Sequence, residues 1–455
     1  MKKLLALMLA ACMVFALCGT ANAADGVEIA PGSNKSASGS TDKDVMLDFW
    51  CIWPETNARA KYFIEKLDEF SKIYEEETGI SVEAKYVAWD GYEGLIDKTL
   101  AGAVSGETPV LSLAGAQLIR NVYPLATDLS KLLSQETIDN YMDSLLNTGC
   151  YQDGKLVAVP GGRSYMCLLV NKNLVEQSGH TLDELDTWDG VHEVSKDIAA
   201  LGDDIEGFGI FWDSDAWGWE SMVYSYGGYI DNEDGTVVTF ADTPAGAAPI
   251  KLVREMLEDG SCYSYYGEST DLEALTEKLV TGKLGMRDAS INSYGSCKEM
   301  IEKNGYDVEL VLLPQPKGEG CQEDWVGNGG SNIMILENAT DTQKQVAAAF
   351  LTYLAQDENV AEWNNTSAYL AYTKSVYDSE AYKEVLKDPN MAAIRDNLQN
   401  LHVRPNNTHW REMYKHIYAD LEYFTMHFEE YDDAKIDEMV NGWQEYCQQI
   451  IDEDA

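Results

Sequence analysis

The chain has 455 residues, with 33 Lys and Arg against 77 Asp and Glu, a formal net charge of −44. A polypeptide of this length exceeds one ordinary core and is expected to divide into two lobes. The charge excludes nucleic acid as a partner, because phosphate backbones require basic stripes, and argues against rest on an anionic lipid surface.

Residues 1–23 read as a signal peptide: Lys2 and Lys3, an apolar run to Leu17, then the small-residue pattern Ala21-Asn22-Ala23. The run is too short to span a bilayer, which needs roughly 20 apolar residues. Two readings of this start stay open. Leu9-Ala10-Ala11-Cys12 and Cys18-Gly19 carry residue types of a lipid-attachment box. The protein is therefore expected to be either freely secreted or tethered to the outer face of the cytoplasmic membrane, and extracytoplasmic in both cases. Residues 24–44, rich in Ser, Gly, Ala and Asn, read as a flexible linker.

The stretch "VMLDFWCIW" (45–53) is apolar and β-prone. A helix follows over 57–77, with Phe63, Leu67, Phe70 and Tyr74 at helical spacing and Gly79 in the C-terminal cap position. Residues 80–86 alternate with the period of a half-buried strand. The crossover rule makes these two strands parallel neighbours. Further along, the pattern predicts a helix over 95–104, a strand at 110–113 and a mostly helical segment over 128–149. A short strand over 154–162 ends in Pro-Gly-Gly, a strand leads into a helix over 165–180, and a late strand opens 307–320. From Thr342 the chain is predicted helical almost to its end. The fold class is α/β with discontinuous lobes: 45–159 plus 311–338 in lobe 1, and 160–310 plus 339–455 in lobe 2, with crossings at 160–162 and 314–318.

Signals of catalysis are missing. None of the six histidines sits in H-E-x-x-H, and there is no G-x-S-x-G, no Gly-Lys-Ser/Thr phosphate loop and no G-x-G-x-x-G after a strand. The expectation is no enzyme, no metal and no cofactor. "DNEDGTVVTF" (231–240) has the wrong ligand spacing for a calcium loop and reads as a hairpin turn. Seven cysteines beyond the signal are scattered without a C-x-x-C; they leave room for one disulfide and leave at least one thiol free.

The aromatic content is the unusual feature, with eleven Trp and 26 Tyr, many outside periodic segments. Trp53 closes a strand, Trp217 lies in "FWDSDAWGWE", and Trp325 sits in "DWVGNGGSN". Clefts of α/β folds form beyond the carboxyl ends of strands. Aromatic faces flanked by carboxylates and amides, such as Asp90, Asp213, Asp215 and Asn328, suit the flat C–H faces and hydroxyl edges of sugar rings.

Taken in order, these pieces resemble the extracellular solute-binding proteins of ABC importers, in the sugar and glycerol-3-phosphate branch. "DFWCIW", "AWDGYEGLIDKTLAG", "GKLVAVPGGRSYMCLLVNKNLVEQSGH", "DTWDG", "GMRDAS", "GNGGSNIMIL" and "AAAFLTYLAQDENVAEWNNTSAYLAYTKS" follow the family's own sequence of segments over nearly all of the mature chain. The resemblance implies a two-lobed, hinged fold of the periplasmic-binding-protein type with a ligand cleft between the lobes. It implies a monomeric receptor that closes on a ligand and docks on ABC permease subunits. Ligand contacts of members that bind glycerol-3-phosphate resemble Tyr92, Ser164, Ser290, Gly330, Tyr369 and Arg404. Two departures stand out: no acid occurs in "SLAGAQ" near position 115, and Ala368 and Ala371 replace a usual Gly and Pro. With the acidic overall charge, they shift the expected ligand to a neutral mono- or oligosaccharide, with glycerol-3-phosphate or a related polyol phosphate as the alternative. An extracellular glycan-acting enzyme or a bilobal sensor or adhesin is the alternative of another class.

Overall fold

The computed structural model describes residues 43–454 apart from 214, 265–268, 323–325, 397 and 406. The expected signal peptide, the expected linker up to 42 and Trp325 lie outside the described residues.

Strand β1 (Val45–Cys51) is buried throughout. Helix α1 (Ala58–Thr78) starts at Asn57, whose side chain accepts from the Arg59 N–H, and stops at Gly79 with φ 75°. That left-handed closure is where glycine is favoured. The spacing of Phe63, Leu67 and Phe70 turns one face of α1 inward. Strand β2 (Val82–Ala88) runs parallel to β1 from the Val45–Val82 pair to the Cys51–Ala88 pair, as the crossover rule requires. Helix α2 (Gly91–Ser105) and strand β3 (Leu111–Gly115) complete the opening unit.

Between 128 and 149 the helix is less continuous than its composition predicts. It breaks into short pieces, Leu129–Lys131, Gln135–Asn140 and Asp143–Leu146. Tertiary pairing interrupts it: Tyr141 is extended and bridges to Thr373, and the Met142 N–H donates to the Tyr372 carbonyl at 2.9 Å.

The element that organises the molecule is β4 (Val159–Asn171), buried along its whole length. Pro160-Gly161-Gly162 lies inside this strand rather than ending it. The register against the facing strand slips between Ser331 and Asn332, opposite Gly162 and Pro160, so Gly161 is the extra residue of a bulge. Further elements are α3 (Trp188–Ala199), β5 (Glu206–Ile210), α4 (Trp217–Ser225), β6 (Cys262–Ser264), β7 (Leu284–Ser290), β8 (Leu310–Pro314) and β9 (Val326–Ile335), with helices between them at Ala248–Glu258, Ser269–Val280 and Asn292–Asn304. After them come α5 (Asp341–Leu354), α6 (Asp357–Ser367), β10 (Leu401–His402), α7 (Trp410–Met426) and α8 (Asp433–Asp454). Residues 231–238 form the expected turn, closed by a bridge between Asp231 and Val238.

Ten strands make one mixed sheet in the order β2-β1-β3-β9-β4-β7-β5-β6, with β8 also on β4 and β10 on β9, and a separate short hairpin pairs Tyr151–Gln152 with Lys155–Leu156. β4 pairs with β9 from Val159 to Tyr165, then with β7 and β8 from Met166 onward. Two lobes thus share one strand. One hydrophobic cluster holds Phe49, Phe63, Phe70, Phe350 and Trp363, and the other holds Trp188, Trp219, Trp410 and Trp443.

The lobe membership differs from the sequence-based division in two places. β8, expected in lobe 1, pairs with the second half of β4. Helices α5 and α6, expected in lobe 2, pack on the β1/α1 side: Phe350 lies 5.2 Å from Phe70, and Trp363 lies 4.9 Å from Phe63. Gln343 also donates to the Met46 carbonyl at 3.1 Å. The cause is apolar: Phe350 and Trp363 are wholly buried against the aromatic face of α1. Cys51, Cys150, Cys167, Cys262, Cys297 and Cys447 are buried free thiols. Burial pushes the Cys150 and Cys447 thiols up to about 12.

Candidate functional site

A cavity of about 550 Å³ opens where β4 changes partner, with Ser164 and Met166 in its wall. Its size falls within the range of small-ligand sites, roughly 300–1,000 Å³. Seven of the nine residues singled out from the sequence line it: Tyr92, Ser164, Trp217, Ser290, Gly330, Tyr369 and Arg404. They come from the first turn of α2, from β4, from the start of α4, from the end of β7, from the middle of β9, and from the segments after α6 and β10.

Trp53 is placed differently. It is buried, stacked on Phe63 at 6.0 Å, and its ring lies 6.0 Å from that of Tyr369. It backs a cavity residue instead of facing the cavity. Trp325 lies outside the described residues.

The backbone explains several of these positions. Gly330 has φ 82°, and a Cβ there would run into the Gly162 carbonyl. A Cβ on Gly329 would likewise run into the Trp217 ring. Both glycines permit the close approach of β9 to its neighbours. Ala368 caps α6 in the left-handed region with φ 55°, and its N–H donates to the Asn364 carbonyl. It stands where the family resemblance led us to expect glycine, and it delivers Tyr369 to the cavity. Asp213 and Ala216, with φ of 63° and 57°, bend the segment leading into α4 in the same uncommon way.

Three sets of mutually bonded polar groups stand at the cavity. The Ser164 and Ser290 hydroxyls hydrogen-bond to each other across the β4–β7 pair. The second set surrounds Arg404, a buried guanidinium lying over the Trp217 ring at 5.5 Å. It donates to Asp215 at 2.8 Å and to Glu220 at 2.6 to 3.1 Å, so both flanks of the fork are already occupied by carboxylates. Burial pushes the Glu220 carboxyl up to about 7, against the pull of Arg404. Asp215 and Glu220 outweigh the burial that would neutralise Arg404, so the guanidinium stays charged.

The third set bridges the rim. Glu93 on α2 accepts from Tyr414 and from Lys415 on α7, and Arg411 pairs with both Glu93 and Asp97. Although burial works in the opposite direction, these donors hold the Glu93 carboxyl below its ordinary value. Neutral Gln117, just past β3, lines the cavity near the position that lacks an acid. Sequence reasoning missed Glu93, Gln117, Asp288 and Lys415. The stretch "GMRDAS" carried Asp288 in plain view, but nothing marked it out among 77 acids.

A single cleft lined by residues from many segments, between two lobes that share a strand, is the architecture of extracellular solute-binding proteins. The chain belongs to the bacterial extracellular solute-binding protein family, whose model matches residues 69–393. It is similar to the sn-glycerol-3-phosphate-binding periplasmic protein UgpB of Shigella flexneri, 26% identical over 243 residues, covering 51% of this chain and 53% of that protein. The chain thus spans about half the length of the curated relatives it matches. Among solved structures, UgpB from Mycobacterium tuberculosis in complex with glycerophosphocholine aligns with a TM-score of 0.74 at 20% identity, over 91% of this chain and all of that one. The cyclic alpha-maltosyl-1,6-maltose binding protein from Arthrobacter globiformis aligns with a TM-score of 0.71 at 19% identity, over 89% of this chain and 98% of that one. At these identities the likeness is one of fold.

Proposed function

We propose that this protein is the monomeric, extracytoplasmic receptor of an ABC importer, secreted or lipid-tethered, which captures a neutral mono- or oligosaccharide in the cleft and delivers it to the permease. The work is binding and lobe closure, with no chemical turnover. The hinge is β4 at Tyr165 and Met166, where the strand passes from one set of partners to the other. One observation carries the choice of ligand. Arg404, the guanidinium that the family resemblance assigns to a phosphate, already serves Asp215 and Glu220. What the cavity offers instead is aromatic surface from Tyr92, Phe211, Trp217 and Tyr369 with hydroxyls and carboxylates between. This combination suits sugar rings.

A second reading, glycerol-3-phosphate or a related polyol phosphate, is favoured by the sequence match to proteins that bind it and by the meeting of six expected contact residues in one cavity. A thermal-shift screen of mono- and oligosaccharides, polyols and glycerol-3-phosphate separates the two. A ligand at 100 times its dissociation constant stabilises by roughly 2.7 kcal/mol. A shift with an uncharged sugar and none with the phosphate is the expected result; a shift with the phosphate alone overturns the carbohydrate reading.

A further inference from the structure

Asp288 differs from the other carboxylates at the cavity. Asp215 is engaged by Arg404, and Glu93 by Arg411 and Lys415. Asp288 lines the same cavity at 2% exposure, and among the described residues neither of its oxygens has a hydrogen bond of good geometry. A buried carboxylate with unfilled lone pairs is costly and rare in native folds. Its neighbourhood is fixed: Oδ2 lies against Gly218 in the first turn of α4, where a Cβ would come within 3.2 Å of it. Two residues on, Ser290 projects to the same face of β7 and meets Ser164.

We infer that Asp288 is a specificity-determining residue of the cleft: it takes two convergent hydrogen-bond donors on the ligand, a vicinal diol of a sugar ring or the ammonium of an amino sugar, and turns phosphates away. The inference rests on the carbohydrate reading of this cavity and adds the group that enforces it. A carboxylate is an acceptor-only partner, so it matches hydroxyl or ammonium hydrogens and repels a phosphate oxygen placed at the same spot. The charged and titratable groups facing it are Arg287 on its own strand, Asp213 from the segment before α4, Cys167 on β4 and Cys262 on β6. Burial pushes its carboxyl up to about 7, against Arg287 and the Phe211 N–H, so its charge changes within an accessible pH range.

The test is calorimetric titration of the intact protein and of Asp288→Asn with neutral disaccharides, the corresponding amino sugars and glycerol-3-phosphate, from about pH 5.5 to about pH 8.5. For a neutral sugar the wild-type affinity should rise with pH through about 7. Asp288→Asn should bind it at least ~10-fold more weakly and lose the pH step. An amino sugar should instead give a bell-shaped profile, which distinguishes the two donor sources. If a sugar binds the wild type and Asp288→Asn equally, with the same profile, the inference falls while the carbohydrate reading stands. Binding of glycerol-3-phosphate alone, or of no probe, removes both. Should Asp288→Asn fail to fold, the wild-type profile decides: a flat response to pH for a bound neutral sugar overturns the role of Asp288.

Discussion

Arg404 donates through Nε and Nη2 to both carboxylate oxygens of Glu220, a residue 184 positions earlier and fully buried. With Asp215 on Nη1, the guanidinium ties the segment after β10 to the first turns of α4. Removing one member of a buried charge set leaves the others without compensation. Arg404→Ala should therefore destabilise by about 3–5 kcal/mol, and Glu220→Gln in the same chain should recover part of the loss. Guanidinium unfolding curves of the single and double variants measure this. If Arg404→Ala alone costs nothing, the triad is not a structural element and Arg404 is open to a ligand role.

The rim bridge is expected to make the proposed lobe closure depend on charge. Glu93 joins α2 to Tyr414 and Lys415 of α7, with Arg411 spanning Glu93 and Asp97. These groups are partly exposed, so the set is worth about 0.5–1.5 kcal/mol and weakens with salt. Glu93→Gln should raise the radius of gyration of the ligand-free protein in X-ray scattering and weaken ligand binding by about 3- to 10-fold. Identical scattering of variant and wild type at low salt would show that the bridge does not bias closure.

Ala368 occupies the left-handed region with φ 55°, where a Cβ is unfavourable by about 1–2 kcal/mol. Glycine removes that cost but adds unfolded-state entropy of about 0.4–1 kcal/mol. Ala368→Gly should therefore stabilise by up to about 1 kcal/mol, raising the melting temperature by roughly 1–2 °C. A lower melting temperature would mean that the alanine methyl is needed in its packed setting.

Asp288 also sets a pH dependence of stability. Its carboxyl rises from the ordinary 3.8 to about 7 in the folded state, so the folded protein holds a proton that the unfolded chain releases. The stability from this group is full below about pH 4, falls as the pH climbs towards about 7, and is level above. Asp288→Asn should match the wild type near pH 4 and exceed it by roughly 2–4 kcal/mol near pH 8. Parallel denaturation curves at the two pH values would contradict this.

Much of the architecture was legible because it follows from local pattern. Phe63, Leu67 and Phe70 with Gly79 marked α1, and alternation after it marked β2 as a parallel neighbour. What escaped was set by contacts distant in sequence. Nothing local places Arg411 beside Glu93, 318 positions away. Trp53 resembled a ligand platform because it closes a strand beside a predicted cleft, yet Phe63 and Trp363 enclose it. Arg404 was recognised by its place in a motif, but the two carboxylates that engage it lie on a different element. The lobe boundaries failed at α5 and α6 for the same reason: their amphipathic pattern says that they pack, not against which partner.

The shared strand also dictates an order of assembly. β9, at 326–335, is inserted between β3 and β4, and β8 at 310–314 flanks the far half of β4. Neither half of the sheet is complete until the chain has been made well past its middle, and α5 and α6 seal the first core later still. A ribosome or export channel delivering this protein from its N-terminus therefore releases β3 with one edge open, and the first half of β4 with no strand beside it, until β9 emerges. β1, β2 and β3 can pair among themselves early, but the far edge of β3 must wait, open to chaperones, for a partner about two hundred residues behind it, as expected of topologies with distant contacts.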